Sequence, residues 1–269
     1  MLKTRILTAL VLLLVFVPVT VFAPPWGFGA LTGVVVMFAA WEWARLLKIS
    51  APGAAGYAAV VVAVVVASVW LDAPALYRGA SVFWIVIGPY ALVRRPTLAA
   101  GLWRVFLLAV GLIVFAACWR ALLDARRVGV AFVFSLLLVV WLADIGAYFS
   151  GKALGRHKLA PAISPGKTWE GAAGGLALVM IVAAVAMAGR IFEPTLYSEL
   201  AMRWGLGRAL AILAVLVALS IMGDLFESVM KRQAGQKDSG KLLPGHGGVF
   251  DRIDALLPAL PLAMLLAGC

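Results

Sequence analysis

Four aspartates stand at the ends of apolar segments, where an ionised side chain is unfavourable. Asp144 and Asp224 each lie a few residues inside the end of such a segment. Asp251 and Asp254 stand at the start of the last segment. A carboxylate at this depth costs several kcal/mol unless a partner neutralises it. Hard oxygen ligands with room for water or phosphate suit Mg²⁺ better than zinc, so the aspartates predict a divalent-cation site.

Helical spacing places two pairs of these polar side chains on common faces. Asp224 and Ser228 are four residues apart, and a helix would bring them onto one face. Asp251 and Asp254 are three residues apart and would share a face for the same reason. The alternative to a metal site is that the aspartates bury their charge in ion pairs. The bases nearest in sequence are Lys231, Arg232 and Arg252.

The segment SPGKTWEG, which begins at Ser164, has the composition of an anion-binding turn. Its GKT resembles the end of a phosphate loop before a helix, whose first turn offers free backbone N–H groups. The complete GxxxxGK[ST] pattern requires glycine where Pro161 stands, so a Walker-type NTPase is excluded. Lys167 still offers a mobile cation, and Thr168 can cap the next helix. Further bases in this loop are Lys152, Arg156 and Lys158.

The segment PGHGG offers backbone donors to an anion. Gly245, Gly247 and Gly248 allow the backbone to approach a ligand closely and to form a nest of N–H groups. His246 can donate to a phosphate oxygen or bind the metal, with an ordinary turn histidine as the alternative. Carboxylates, cations and backbone donors together are typical of phosphoryl or nucleotidyl transfer, because they stabilise charge on phosphate oxygens.

The composition indicates which elements must position these groups. The chain has 269 residues, of which 64% are hydrophobic and 13% charged, and its mean hydropathy is +1.05. A soluble domain of this length cannot bury so much apolar surface in one core. One crossing needs roughly 20 apolar residues, so we predict an all-α, polytopic integral membrane protein with about nine transmembrane helices. The predicted spans are 6–22, 27–46, 54–71, 79–94, 97–118, 128–149, 171–189, 207–227 and 251–268.

Lysine and arginine in the short loops determine the predicted orientation. Most of them fall on one side if the spans alternate, so we predict that this side is cytoplasmic and carries the N-terminus. The connection that contains Arg120, Arg126 and Arg127 falls on the other side and disagrees. We divide the chain into N-terminal transmembrane helices over 1–127 and a C-terminal catalytic region over 128–269, which contains two cytoplasmic loops.

The net charge and the cysteine content limit the classes of function and of site that this chain could have. The formal net charge is +11, which we attribute to membrane orientation and to contact with anionic phosphate groups. We therefore expect no nucleic-acid partner. Cys118 and Cys269 lie in or beside apolar segments, which favours neither a disulfide framework nor a thiolate metal site.

Three expectations concern single segments. The first span is expected to be retained rather than cleaved as a secretory signal. Glu42 and Arg45, near the end of the second span, are expected to form a structural ion pair, with a role of Glu42 in holding the lipid phosphate as the alternative. The connection after the seventh span is expected to contain a short interfacial helix with an apolar stripe. The stripe would consist of Phe192, Leu196, Leu200 and Trp204.

Several blocks in the C-terminal half combine uncommon residue types at fixed spacing. SVMKR, KD and LPGHGGVFDRID begin at Ser228, Lys237 and Leu243, and ADIGAYFSGK and GRHKLAPAISPGKTWEG lie upstream. Together they resemble the signature of the phosphatidate cytidylyltransferases, also called CDP-diacylglycerol synthases. The resemblance implies transfer of CMP from CTP to phosphatidic acid, giving CDP-diacylglycerol and pyrophosphate. It also implies Mg²⁺ dependence, with Asp224 and Asp251 as metal ligands, and a homodimer in the cell inner membrane.

Both arguments together predict roles for individual residues. The lipid phosphate would attack the α-phosphorus of CTP while its acyl chains stay among the membrane lipids and spans. The predicted catalytic residues are Asp224, Asp251, Lys167, Lys237, Asp238 and Arg252. The predicted substrate-binding residues are Asp144, Lys152, Ser164, Lys167, Thr168, Ser228, Lys231, Arg232, His246, Gly247 and Gly248. The predicted Mg²⁺ ligands are Asp224, Asp251 and Asp254, and a second cation is left open.

Other functions would use similar carboxylates and cations. A CTP-dependent lipid-alcohol kinase would move the γ-phosphoryl group instead of CMP. A transporter would place its charges in mid-span on broken helices, whereas these charges cluster in loops and at span ends. A CDP-alcohol phosphatidyltransferase would need a DGxxAR-type helix motif, which the sequence lacks.

Overall fold

The computed structural model describes residues 2–189 and 192–268, with the side chains of residues 2–5 excepted. Most of these residues are helical, which confirms the all-α prediction. The helices are α1 (Leu2–Phe22), α2 (Pro25–Leu46), α3 (Ala51–Ala67), α4 (Ala73–Val82), α5 (Gly88–Arg94), α6 (Gly101–Val128), α7 (Val130–Leu154), α8 (Trp169–Gly189), α9 (Leu196–Trp204), α10 (Leu206–Gln233) and α11 (Leu256–Ala267). A π-helical turn, Phe83–Ile87, joins α4 to α5.

Within the described ranges, seven helices are long and apolar enough to cross a membrane. They correspond to α2, α3 with the 3₁₀ turn after it, α4 to α5 taken together, α6, α7, α8 and α10. Two shorter apolar helices, Ile6–Phe22 and Leu256–Ala267, match the first and ninth predicted spans. The chain is thus an all-α membrane protein, and the count of nine spans remains a prediction.

Helix α11 runs through the middle of the bundle. Ten of its twelve residues are buried, and it packs against α4, α6 and α10. A helix that is apolar on every side is stable only when neighbours surround it. Because α11 contacts helices from both ends of the chain, residues 1–127 and 128–269 share one hydrophobic core. The division into these two regions remains a prediction.

Helices α7 and α8 pack at unusually close range because glycines face each other across them. A Cβ atom on Gly146 would lie 2.8 Å from the carbonyl oxygen of Gly174. A Cβ atom on Gly175 would lie 2.4 Å from the carbonyl oxygen of Ala143. The two helices are joined by a hairpin of β1 (Lys158–Ala160) and β2 (Ser164–Thr168), which pair antiparallel. This packing fixes the hairpin relative to Asp144.

We expect Gly175→Ala to destabilise the protein by about 1–3 kcal/mol, because the added methyl group meets backbone that cannot move aside. Thermal unfolding in detergent, followed by tryptophan fluorescence, measures the change in Tm. Gly56→Ala is the matched control, since a Cβ atom at Gly56 of α3 meets no atom within 4 Å. An equal Tm for both variants would contradict the close packing of α7 on α8.

The three arginines that disagreed with the predicted orientation are held by the protein itself. Arg120 Nε donates to Asp124 Oδ2 at 2.8 Å, and Arg127 Nη1 donates to Asp124 Oδ1 at 2.9 Å. Arg126 Nη2 donates to the carbonyl oxygen of Ala23 at 3.0 Å. All three arginines lie within α6 rather than in a connection between spans, and their contacts hold α6 against its neighbours. The sidedness of the membrane remains a prediction.

The predicted helix after the seventh span is present as α9. Leu196 and Leu200 are buried, and α9 packs against α8, α10 and α11. The expected stripe is wrong for Phe192, which precedes the helix and is 80% exposed. Arg190 and Ile191 of this connection and Cys269 lie outside the described residues.

Candidate active site

The end of α10 presents a row of polar side chains on one face. Glu227 and Ser228 lie three and four residues after Asp224, and Lys231 lies four residues after Glu227. The Ser228 hydroxyl lies 3.4 Å from Asp224 Oδ1, which confirms that the two share a face. Glu227 belongs to the same row but was missed by the sequence analysis. Its spacing from Asp224 was the available signal.

Strand β2 brings Lys167 to this row. Lys167 Nζ lies 2.7 Å from Asp224 Oδ2, so the hairpin and α10 meet in an ion pair. Thr168 caps α8 as predicted, because its hydroxyl accepts from the Gly171 N–H at 3.1 Å. Glu170 secures the hairpin, since its carboxylate accepts from the backbone N–H groups of Arg156 and His157. The position of Lys167 therefore rests on local contacts on both sides of it.

Lys231 is the bridge between α10 and the segment before α11. Its ammonium lies 2.6 Å from Glu227 Oε2 and 2.7 Å from Asp251 Oδ1. The Lys231 side chain is 13% exposed, while those of Glu227 and Asp251 are 1% and 5% exposed. Such a buried network is stabilising only while every charge keeps its partner. Lys231 thus holds two buried carboxylates together.

Both oxygens of Asp251 are occupied by protein donors. Oδ1 accepts from Lys231, and Oδ2 accepts from the backbone N–H groups of Ser239 at 2.9 Å and Gly248 at 2.8 Å. The Ser239 hydroxyl is also 2.9 Å from Oδ2. Burial alone would raise the pKa of Asp251, but Lys231 and the two N–H donors outweigh burial and lower it. The side chain is therefore ionised near neutral pH.

Asp254 is more deeply buried and lies beside the α10 row. Its Oδ1 accepts from the N–H of Ala255 at 2.8 Å. Burial, aided by the negative charge of Asp224, raises the pKa of Asp254 above its usual range. The backbone of α10 and that of the segment before α11 approach closely here, because a Cβ atom on Gly223 would lie 2.4 Å from the carbonyl oxygen of Asp254. A cation nearby would favour the ionised form.

The four predicted aspartates do converge, although not all in helices. Asp144 on α7 and Asp254 each lie near enough to Asp224 to be influenced by its charge. The expectation that Asp251 starts the last helix is wrong, since α11 begins at Leu256. Asp251 instead lies in a 3₁₀ turn, Phe250–Arg252. Fixed turns at this point aim the carboxylates of Asp251 and Asp254 back towards α10.

A polar cavity of about 520 Å³ lies beside this cluster. It is lined by Lys237, Asp238, Gly240, Lys241, Leu243, Pro244, Gly245, His246, Gly247 and Arg252. The PGHGG segment forms a tight turn in its wall, closed by a bond from the Leu243 N–H to the Gly247 carbonyl oxygen at 2.9 Å. Gly245 and Gly247 have φ values of 77° and 82°, which only glycine adopts readily. The segment is therefore a tight turn, and its role as an anion-binding nest stays a prediction.

An apolar cavity of about 490 Å³ adjoins it between α1, α2, α6 and α7. Its wall includes Leu12, Phe16, Val36 and Trp141, and its polar end is formed by Asp144, His246, Asp251, Arg252 and Asp254. His246 and Arg252 line both cavities. Arg252 is held in place because its Nη2 donates to the carbonyl oxygen of His246 at 2.9 Å. The two spaces thus meet at a fixed cation.

Some predicted substrate-binding residues lie apart from the carboxylates in the described part of the chain. Lys152 on α7 is exposed, with its ammonium 5.9 Å from the centre of the Tyr148 ring. Arg232 is exposed at the end of α10, and Ser164 starts β2. Their role in binding a substrate stays a prediction.

Glu42 is a site residue whose role was predicted wrongly. The expected ion pair with Arg45 is not formed, because Arg45 Nη1 donates to the carbonyl oxygen of Ile49 at 2.6 Å. Glu42 is instead fully buried at the end of α2 and accepts from the Ser239 hydroxyl and the Phe250 N–H, each at 2.8 Å. These partners lie about 200 residues away in sequence. Short-range spacing therefore carried no signal for this contact.

Among the described residues, no three carboxylate, histidine or cysteine side chains are arranged so that they could already hold a metal ion. The donor set nevertheless fits a cation at Asp224. Asp224 is 36% exposed, and its Oδ1 has only the long contact with Ser228. Asp144 and Asp254 stand close by. Asp251 could contribute an oxygen only if Lys231 moved away.

Comparison with known proteins matches almost the whole chain. A family model described as the Cytidylyltransferase family matches residues 3–269. A phosphatidate cytidylyltransferase of Pseudomonas aeruginosa is 42% identical over 268 residues, which cover 97% of this chain and 95% of that protein. A phosphatidate cytidylyltransferase of Haemophilus influenzae is 32% identical over 286 residues, which cover 97% of this chain and 96% of that protein.

Proposed function

This chain belongs to the cytidylyltransferase family, and from that we propose that it transfers CMP from CTP to phosphatidic acid. The products are CDP-diacylglycerol and pyrophosphate, as in phospholipid biosynthesis. The observation that carries the proposal is the pair of cavities, one polar and one apolar, that share His246 and Arg252. A reaction between a water-soluble nucleotide and a membrane lipid requires these two environments to meet at the reacting phosphates.

The polar cavity is the proposed CTP site. Its volume falls within the range of about 300–1,000 Å³ that is usual for small-molecule sites. Lys237, Lys241 and Arg252 give it positive charge, and the turn of Gly245 and Gly247 exposes backbone in its wall. Lys167 is held at the neighbouring carboxylate of Asp224. Cations and backbone donors at this spacing favour a triphosphate over an uncharged ligand.

The apolar cavity is the proposed site of the lipid. Acyl chains would lie against side chains of α1, α2 and α7, and the lipid phosphate would reach Arg252 and His246 at the polar end. Helices α1 and α2 contact each other over only part of their length. The cavity lies where they are apart. This arrangement leaves the acyl chains in apolar surroundings while the phosphate meets the nucleotide.

The chemistry is an in-line displacement at phosphorus. An oxygen of the lipid phosphate forms a bond to the α-phosphorus of CTP, and the bond from that phosphorus to the oxygen bridging the α- and β-phosphates breaks. Pyrophosphate leaves with the electron pair of the broken bond. A phosphate dianion needs no base to activate it near neutral pH. Lys167, Lys237 and Arg252 therefore accelerate the reaction by positioning the phosphates and neutralising their charge.

Mg²⁺ is the proposed cofactor. Asp224 and Asp254 would hold it, and Asp251 would join them where the Lys231 ammonium leaves its carboxylate. When bound, the ion supplies positive charge to the oxygens of the transferring group. Asp238, in the wall of the polar cavity, assists there, and a second cation is compatible with the number of carboxylates.

The proposed setting is the inner membrane, crossed several times, with the N-terminus and the site on the cytoplasmic side. The basic loops that carry Lys167, Lys231 and Lys237 support this orientation, because such loops are retained in the cytoplasm. CTP is available on that side. We further propose a homodimer, as the family resemblance implies.

CTP labelled at different phosphates tests the function. Purified protein is incubated with phosphatidic acid in detergent micelles and with CTP labelled at either the α- or the γ-phosphorus. We expect the α-label to enter the lipid and the γ-label to appear in pyrophosphate. Entry of the γ-label alone into lipid would show a kinase and contradict the proposal.

A further inference from the structure

A glutamate from the N-terminal half of the chain holds the loop that carries the reaction. We define the signature loop as residues 237–252, between α10 and α11. We propose that Glu42 of α2 is a positioning residue for CMP transfer, which fixes the signature loop and through it Asp251. The kinetic part of this inference rests on the function proposed above.

The contacts of Glu42 are directed at both ends of the loop. Its Oε2 accepts from the Ser239 hydroxyl near the start of the loop and from the Phe250 N–H near its end, each at 2.8 Å. The side chain has no solvent exposure. One carboxylate oxygen therefore joins two segments that are eleven residues apart in sequence.

These contacts lead directly to Asp251. Ser239 places both its N–H and its hydroxyl 2.9 Å from Asp251 Oδ2, and Phe250 is the residue before Asp251. The chain of contacts from Glu42 through Ser239 reaches the same carboxylate that Lys231 binds from the other side. Asp251 is thus fixed between α2 and α10. Loss of either support would release it.

Two glycines of the signature loop leave room for the carboxylate of Glu42. A Cβ atom on Gly240 would lie 2.0 Å from Glu42 Oε1, and one on Gly248 would lie 2.3 Å from Oε2. Neither distance is physically possible, so the loop can close around Glu42 only without side chains at these positions. Gly248, predicted as part of an anion-binding nest, has this packing function in the structure.

Stability alone does not account for a carboxylate at this position. Glu42 Oε1 is buried without a hydrogen-bond partner, and no base in the described residues forms an ion pair with Glu42. Burying a charge with incomplete compensation is unfavourable, and an apolar residue is often more stable at such a site. The carboxylate instead fixes the position of the signature loop, because functional groups need support that locks their orientation.

Comparison of Glu42→Gln with Glu42→Ala tests the proposal. Glutamine retains an oxygen that can accept from both Ser239 and Phe250, whereas alanine retains none. We expect Glu42→Ala to lower kcat by about 100-fold, since small misplacement of reacting groups has effects of that size. We expect Glu42→Gln to stay within about tenfold of the unaltered protein. A glutamine variant as inactive as the alanine variant, or an alanine variant with unaltered kcat, would overturn the proposal.

Serine variants decide the question if Glu42→Ala does not fold. Ser239→Ala removes the link to Asp251, and we expect about a tenfold loss of kcat. Ser135→Ala is the matched control, because Ser135 is also buried and accepts from the Leu196 N–H at 2.8 Å, far from the site. Equal kcat for the two serine variants would overturn the proposal.

Amide hydrogen exchange tests the positioning role of Glu42 independently of the proposed function. Amide exchange of the Phe250 N–H does not depend on which reaction the protein catalyses. We expect exchange to be faster in Glu42→Ala than in the unaltered protein and near normal in Glu42→Gln. Unchanged exchange in Glu42→Ala would refute the positioning role even if CMP transfer were established. Failure of the unaltered protein to transfer CMP would refute the function alone.

Discussion

Asp224→Asn is expected to lower the rate of CMP transfer by about 100- to 1,000-fold, the range seen when one group that stabilises transition-state charge is removed. The amide keeps the shape of the side chain but removes its negative charge. Lys167, whose ammonium lies 2.7 Å from Asp224 Oδ2, would lose its partner, and a cation would lose one of its carboxylates. Because Asp224 is 36% exposed, we expect Tm in detergent to stay unchanged.

Asp72→Asn provides the control for Asp224→Asn. Asp72 is an exposed aspartate that caps α4 by accepting from the Ala75 N–H at 2.9 Å, and asparagine caps helices equally well. The charge change is the same, but it lies in a different part of the protein. Initial rates with CTP and phosphatidic acid should be unaltered in this variant. Equal rates in both variants would remove Asp224 from the site.

Asp251→Asn is expected to abolish transfer and also to lower Tm. Asp251 uses both oxygens as acceptors, with Lys231 on Oδ1 and the N–H groups of Ser239 and Gly248 on Oδ2. Either orientation of the asparagine amide would point its NH₂ group at a donor. Unpairing a buried charged network costs about 3–5 kcal/mol. Residual activity per folded molecule is expected to be at least about 100-fold lower, since the signature loop would shift.

The matched control for Asp251→Asn is Asp124→Asn. The Asp124 side chain is only 12% exposed, and it accepts from Arg120, Arg127 and the Tyr77 hydroxyl at another place in the bundle. We expect its loss to lower Tm in the same way, but to leave the turnover of the folded fraction unaltered. Unfolding curves and active-site-normalised rates measure the two effects. Normal turnover in Asp251→Asn would contradict the role of this carboxylate.

The two predictions distinguish two kinds of aspartate that look alike in the sequence. Asp224 is accessible and has few hydrogen bonds, so its carboxylate is free to contact a substrate or a cation. Asp251 is enclosed, and both of its oxygens accept hydrogen bonds from the protein. Its role therefore depends on the conformation of the signature loop. Asp251 would bind Mg²⁺ only where the Lys231 ammonium leaves its carboxylate. Spectroscopic or crystallographic location of an ion in the presence of CTP tests this.

The helices and the local turns were predictable because their causes are local. Runs of apolar residues located every long helix, since a buried or membrane-embedded backbone must satisfy its own hydrogen bonds. The bounds of α2 and α8 agree within two residues, whereas α6 extends ten residues beyond its predicted end. The row of Asp224 and Ser228 followed from helical periodicity, and the turn around Gly245 and Gly247 followed from glycine conformation. The start of the last helix was wrong by five residues, because fixed turns at Asp251 replace its first turn.

The sequence by itself determined the class of the protein, the positions of most helices and the chemistry of its polar residues. These depend on hydrophobicity, periodicity and side-chain type, which act over a few residues. Only the tertiary structure decided that Glu42 supports Asp251, that Lys231 occupies one oxygen of Asp251, and that two cavities meet at Arg252. Such contacts join residues far apart in the chain, and they depend on how the helices pack around α11.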